Sequence, residues 1–385
     1  MHTSSKDYRP DIDGLRAIAV ALVLVFHSGL FPLEGGFVGV DVFFVISGYL
    51  ITGLLLAEFR VTGDIRLRKF LARRVSRLAP ALLFTISVVL LAAPYLLSRI
   101  EGEIGPAAKA AIATLLLNAN HFFLAASWGH VAAPGETNPF SHMWSLSVEE
   151  QFYLIWPPLL LLLMRSIPPA RWPAAICALL TLALLSAWAM AGLDPIISFC
   201  LMPARGWELL AGAALAAVTT SRALRASTFI TATFAFVGLV LIAWASIYLN
   251  RDHQFPFPTG IIPAVGAVLM ILAGCIQPAN MMSRFVGSPC LVYLGKISYP
   301  LYLWHWPVIV LLRAHRRYED SWWQDLGATV LSVFLAVLTY ELVEKRGRAW
   351  FSAAKRPGLT MLRGAIISLV LVTVALLLHA WARYG

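Results

Sequence analysis

Charge is what this sequence has least of. Only 13% of its 385 residues are Asp, Glu, Lys or Arg, while 59% are hydrophobic. A soluble domain carries about 25% charged residues, so the composition excludes an ordinary water-soluble fold and points to a polytopic membrane protein. Cysteine is scarce too. Cys177, Cys200, Cys275 and Cys290 show no close metal-type spacing and read as packing residues. No metal-ligand spacing, nucleotide-binding loop, Gly-x-Ser-x-Gly elbow or internal repeat is visible. The N-terminus has no signal-peptide cleavage pattern, so the first apolar run is expected to stay in the protein. Acidic residues number 20 against 30 basic ones, a surplus of +10. In a membrane protein such a surplus reads first as topology and as contact with anionic lipid or a phosphorylated cofactor, not as nucleic-acid binding.

What is present is a series of apolar runs. A membrane-crossing helix needs about 20 mostly apolar residues, and about twelve runs approach that length, from Leu15–Phe31 to Leu362–Trp381. The fold class expected is therefore all-α, a polytopic transmembrane helix bundle. Lysine and arginine set its orientation. Lys6, Arg9 and Arg16 place the N-terminus in the cytoplasm, and the run Arg60, Arg66, Arg68, Lys69, Arg73, Arg74, Arg77 marks a second cytoplasmic segment. Arg165 requires the preceding helix to end inside, yet two earlier crossings would put the Lys/Arg-free stretch 127–146 inside as well. The conflict disappears if Ala107–Ala126, with Asn118, Asn120 and His121, is a re-entrant or partial helix. About ten core spans then return the chain to the cytoplasm at Lys345, and an appended C-terminal transmembrane helix leaves the C-terminus outside. This divides the chain into a transmembrane domain at 1–348 and a linker with an extra helix at 349–385. Arg313, Arg316 and Arg317 fall on the outer side, against the rule.

Three constellations carry possible chemistry. In the first run, Arg16 and His27 are eleven residues apart, three helical turns plus about 20°, so they share a face about 16 Å long. Arg16 alone reads as a snorkelling interface residue; with a deep histidine on the same face the pair reads as a site. An imidazole suits activation of a hydroxyl or transient carriage of an acyl group. Second, Arg73, Arg74 and Arg77 enter a helix, and guanidinium groups there suit a phosphate or pyrophosphate. Third, in Ser141–Pro157, Ser147 with Glu150 reads as a capping box and Trp144 as part of an interfacial belt. Glu149 and His142 remain, and a carboxylate there suits a sugar hydroxyl or a histidine. Asp41 and the pair Arg205/Glu208 read as intramembrane charges that pair. His305, among aromatic residues, reads as a stacking partner for a sugar ring or as part of the belt.

Taken together, Arg16-x10-His27, Gly39–Ile51, the Arg-Arg-x-x-Arg-Leu-x-Pro segment ending at Pro80, His142–Pro157, Arg205-x-x-Glu208-Leu and Ser298–Pro307 resemble the acyltransferase-3 family of integral membrane O-acyltransferases. The resemblance runs from about Tyr8 to Arg348. It implies acyl transfer, usually acetyl, from cytoplasmic acyl-CoA to a hydroxyl of an extracytoplasmic glycan such as lipopolysaccharide O-antigen, in a bacterial inner membrane. Acyl-CoA would be a donor substrate, with no bound cofactor and no metal. Catalysis would rest on His27, Arg16, Glu149 and His142, donor binding on Arg73, Arg74 and Arg77, and acceptor binding on Asp41, Trp144 and His305. Some family members carry an external SGNH-type domain beyond an extra helix, so such a domain is an expected partner. The rival reading is a glycolipid or polysaccharide transporter or flippase, which the missing repeat symmetry disfavours.

Overall fold

The computed structural model describes residues 8–97, 104–128, 137–193, 195–221, 224–250, 254–278, 280–315, 321–354 and 356–384. Lys6, Arg316 and Arg317, used above as topology markers, lie outside the described residues. Among the described residues the regular structure is entirely helical. Six helical segments are long and apolar enough to cross a membrane. These are Gly36–Thr62, Leu67–Leu96, Pro169–Met190, Thr228–Tyr248, Trp322–Ser352 and Pro357–Arg383. The first helix, α1 (Pro10–Ser28), falls outside that set, with Asp11, Asp13 and Arg16 in its first two turns. The chain forms two compact units. One consists of Met1–Phe26, Phe31–Ile65 and Trp156–Ser298, the other of His27–Leu30, Arg66–Ile155 and Tyr299–Gly385.

The first unit is built on helices that approach closely. An ideal Cβ added at Gly48 of α2 (Gly39–Thr62) would collide with the Leu209 carbonyl, and one at Gly212 with the Val45 carbonyl. Without those side chains the backbones of α2 and the helix Met202–Ser221 come together, the small-residue packing that membrane helices use where no hydrophobic drive separates helix from lipid. The contact encloses charge. Asp41, Arg205 and Glu208 are all fully buried, with Arg205 Nη1 3.4 Å from Asp41 and 3.3 Å from Glu208. The guanidinium also lies over the rings of Phe44, Phe199 and Phe255. The expected pairing of Arg205 with Glu208 is present, and Asp41 belongs to the same network.

The second unit packs α3 (Leu67–Leu96) against the C-terminal helix, Pro357–Tyr384, and the short α4 (Ile104–Leu115). Leu371 and Ala375 of the C-terminal helix join the buried core, while Leu362, Ile366, Leu369 and Leu376 are exposed. That exposed apolar face suits lipid. The stretch expected as a partial helix is two helices, α4 and α5 (Ala119–Trp128), broken at Leu117, whose φ is 57°. At 12 and 10 residues, neither reaches the length of about 20 needed to cross alone. The next helix, α6 (Met143–Ser166), satisfies the break: Ser147 Oγ accepts from Ala119 N at 3.0 Å and Gln151 Nε2 donates to Leu117 O at 3.0 Å. This corrects the capping-box reading. Helix α6 already starts at Met143, so Ser147 is inside it and caps α5 instead.

Arg313, which the Lys/Arg rule leaves unexplained, has a structural job. It sits near the end of α7 (Ser298–His315), where Nη2 donates to Ser28 O at 3.1 Å and pairs with Asp325 Oδ1 at 2.9 Å. A cation thus meets the carbonyl end of α1, where the helix dipole is negative, one residue beyond His27. Gly29, at φ 74°, ends α1 in the left-handed conformation that glycine adopts without a Cβ penalty.

Two outcomes follow from this packing. Gly53 lies on α2 five residues after Gly48, but its added Cβ would meet nothing within 4 Å. Gly53→Ala should stabilise by about 0.5–1 kcal/mol, whereas Gly48→Ala should destabilise by about 1–3 kcal/mol, read as opposite shifts of Tm in detergent. For Arg313 and Asp325, a double-mutant cycle to alanine should give a coupling of about 0.5–3 kcal/mol; additive single effects would remove the pair from the account of α1.

Candidate active site

The second unit brings three histidines together from distant parts of the chain. His27 lies in the last turn of α1, His142 in the turn before α6, and His305 in α7. His305 is held first by its own helix: its Nδ1 is 2.7 Å from the Tyr302 carbonyl oxygen. Its Nε2 is 3.3 Å from His27 Nδ1. The His27 and His305 ring centroids are 5.2 Å apart, and His142 meets His305 edge-on at 5.3 Å. Trp306 meets His27 edge-on at 4.7 Å and is itself fixed by Nε1–H donation to Asn138 O at 2.9 Å. Two of the three rings are buried: His142 and His305 are 5% and 1% exposed, while His27 is half-buried.

Tyr302 links the two chain segments that supply the cluster. Its hydroxyl donates to His142 O at 3.0 Å and lies 2.6 Å from Ser145 Oγ. The His142 main chain is thereby pinned to α7. Its side chain is different: neither Nδ1 nor Nε2 has a hydrogen-bond partner although both are buried. Buried polar groups are normally satisfied, and the Leu303 backbone is the polar neighbour of this ring besides His27 and His305. Among the described residues no set of three or more His, Cys, Asp or Glu side chains is arranged to hold a metal ion.

The arginines of α3 form a separate polar cluster in the same unit. Arg73 is exposed; Arg74 and Arg77 are half-buried. The Arg74 guanidinium lies over the Phe70 ring at 5.5 Å and the Tyr153 ring at 5.8 Å, with Arg77, Glu149 and Glu150 as its charged neighbours. The Tyr153 hydroxyl donates to Glu149 one turn earlier on α6. Glu344 and Arg348, which sequence reasoning did not single out, pair beside this group, and Arg77 is a charged neighbour of Arg348. Glu344 ends a π-helical turn, Thr339–Glu344, anchored by Trp304 Nε1–H donation to Thr339 Oγ1 at 2.8 Å. Local periodicity gives no sign of such a turn; the carboxylate four residues before an arginine was the available signal.

The expected site residues therefore fall into groups. His27, His142 and His305 meet. Glu149 joins Arg74 through Tyr153, and Trp144 packs half-buried against the core of the second unit. Asp41 and Arg16 belong to the first unit, Asp41 in the Arg205 network and Arg16 beside Asp13, 3.4 Å away.

The family model described as an acyltransferase domain matches residues 9–341. The peptidoglycan O-acetyltransferase OatA of Listeria monocytogenes is 30% identical over 358 residues, covering 88% of this chain and 56% of that protein. The putative peptidoglycan O-acetyltransferase YrhL of Bacillus subtilis is 32% identical, covering 89% and 55%. The O-acetyltransferase OatA of Staphylococcus aureus is 31% identical, covering 96% and 62%. The chain thus spans between half and two thirds of the length of these relatives. No solved structure matches it significantly. With the family match running through α1, α3, α6 and α7 and covering most of the chain, the chain belongs to the acyltransferase-3 family.

Proposed function

We propose that this protein is a multi-pass membrane O-acetyltransferase that transfers an acetyl group from cytoplasmic acetyl-CoA to a hydroxyl of an extracytoplasmic cell-envelope glycan. The observation that carries the reading is the His27 imidazole, in contact with both His305 and Trp306, with the buried His142 ring packed on His305. The acceptor oxygen attacks the thioester carbonyl while His27 takes its proton, the carbon–sulfur bond breaks, and the proton passes to the departing thiolate. One ester forms for each thioester consumed. A His142 N–H suits the oxyanion of the tetrahedral intermediate, since donors preorganised in a water-poor site act most strongly on developing charge. The burial of His142 and His305 limits access of bulk water and so disfavours competing hydrolysis.

Donor binding falls to the α3 arginines. Arg73 and Arg77 are the better candidates for the CoA phosphates, because Arg74 is the one most closely surrounded by Glu149, Glu150 and Tyr153. In this reading Glu149 steers Arg74 and leaves the proton transfer to His27. Arg16 remains a candidate for a second basic contact. The distribution of Lys and Arg favours a cytoplasmic N-terminus and about ten core spans. For the acceptor, the relatives' names favour peptidoglycan over the lipopolysaccharide O-antigen expected from the sequence.

In membrane vesicles given radiolabelled acetyl-CoA and muropeptides, His27→Ala should lower acetyl transfer by about 10²–10⁴-fold, the usual contribution of a general base. Retained activity at normal membrane abundance would overturn the assignment. The double variant Arg73→Ala/Arg77→Ala should raise the KM for acetyl-CoA about tenfold or more, with a weaker effect on kcat; an unchanged KM would return these residues to a topological role.

A further inference from the structure

The hydrogen-bond directions in the histidine cluster can be followed from a group that has no choice. The Tyr302 carbonyl oxygen only accepts, so the His305 Nδ1 at 2.7 Å carries a hydrogen. The titratable groups facing the His305 ring are His27 from α1, His142 from the turn before α6, and Tyr302 from its own helix. Among the described residues no carboxylate pairs with it, and a buried cationic ring without one is costly. The ring is therefore neutral, and Nε2 holds its lone pair. His27 Nδ1, 3.3 Å from that nitrogen, must be the donor. His27 then has its hydrogen on Nδ1 and its lone pair on Nε2.

Resting on the acetyltransfer reading above, we propose that His305 is a positioning residue that fixes the His27 tautomer and steadies the His27 imidazolium during proton transfer. A carboxylate performs this job in the Ser-His-Asp arrangement, where it orients the imidazole and does not itself take the proton. Here a neutral imidazole performs it, which avoids placing a net negative charge among apolar helices. The proton balance is simple. The acceptor hydroxyl proton moves to His27 Nε2 as the carbon–oxygen bond forms, then to the CoA thiolate as the carbon–sulfur bond breaks. His305 neither gains nor loses a proton. A separation of 3.3 Å is long for an N–H donor, and a charged donor tightens such contacts.

This role differs from the two that the sequence suggests for His305, stacking on a sugar ring or a place in the interfacial belt, and substitutions separate it from stacking. Phenylalanine keeps a stacking ring but removes the acceptor; glutamine removes the ring but places an oxygen near the former Nε2. In vesicles with acetyl-CoA and muropeptides, His305→Phe should lower kcat about a hundredfold or more with little change in KM, and His305→Gln should recover most of that loss. Wild-type rates in His305→Phe, or equal losses in Phe and Gln, would overturn the proposal. His27→Ala in the same assay distinguishes the levels: if it is inactive while His305→Phe is active, only the positioning role fails; if it is itself active, the base assignment fails and this role with it. A spectroscopic reading covers the case of a poorly folding variant. Nitrogen-15 correlation spectra of histidine-labelled wild-type protein should show His27 as the Nδ1–H tautomer, and the Nε2–H form would overturn the proposal without any activity measurement.

Discussion

The hydrogen bond from His305 to the Tyr302 carbonyl is local to one turn of α7, yet the chemistry of the surrounding cluster depends on it. A carbonyl oxygen cannot donate, so it sets the direction of the next contact, and that contact reaches α1. Helix packing makes the arrangement possible. Arg313 and Asp325 hold the carbonyl end of α1, Tyr302 holds the main chain at His142, and Trp306 is tied to Asn138. Each of these contacts joins segments far apart in sequence, so the cluster exists only once the second unit has folded.

The buried charges of the first unit present a different physical problem. Asp41, Arg205 and Glu208 leave water completely, and two carboxylates share one guanidinium. Removing Arg205 would leave two buried carboxylates uncompensated and cost about 3–5 kcal/mol, although the whole group adds little net stability over an apolar core. Its value lies in specificity of packing. Only one rotation of the helix Met202–Ser221 about its axis puts both Arg205 and Gly212 against α2, so charge and glycine select the same register.

Much of this was legible in the chain before folding. The pairing of Arg205 with Glu208 follows from i,i+3 spacing in an apolar run. His27 stands out because a hydrophobic helix rarely carries an imidazole. His142 and His305 each lie in a polar-aromatic motif, but nothing local could reveal that they meet, because their separation in sequence exceeds the range of any periodicity. Glu149 shows what helical phase adds. Its position near the start of α6 suggested a partner for sugar or histidine, whereas the helical phase places it one turn from Tyr153 and towards Arg74. Ser147 was misread because a capping signature takes for granted that a helix starts there, and α6 starts earlier. Arg313 violated the topology rule for the simple reason that it is used inside the fold.

The π-helical turn at Thr339–Glu344 shows how one backbone irregularity can set the direction of side chains beyond it. Such a turn accommodates one residue more than a regular helix, and one residue corresponds to about 100° of rotation. Glu344 and Arg348 owe their azimuth to that extra residue: in a regular helix from Trp322 onward, the same two side chains would emerge about a quarter-turn away. The chain has thus aimed a buried carboxylate by length alone, with no change in the chemistry of its side chains. A deletion of one residue and a substitution of Glu344 would remove the same charge from the arginine cluster by unrelated routes.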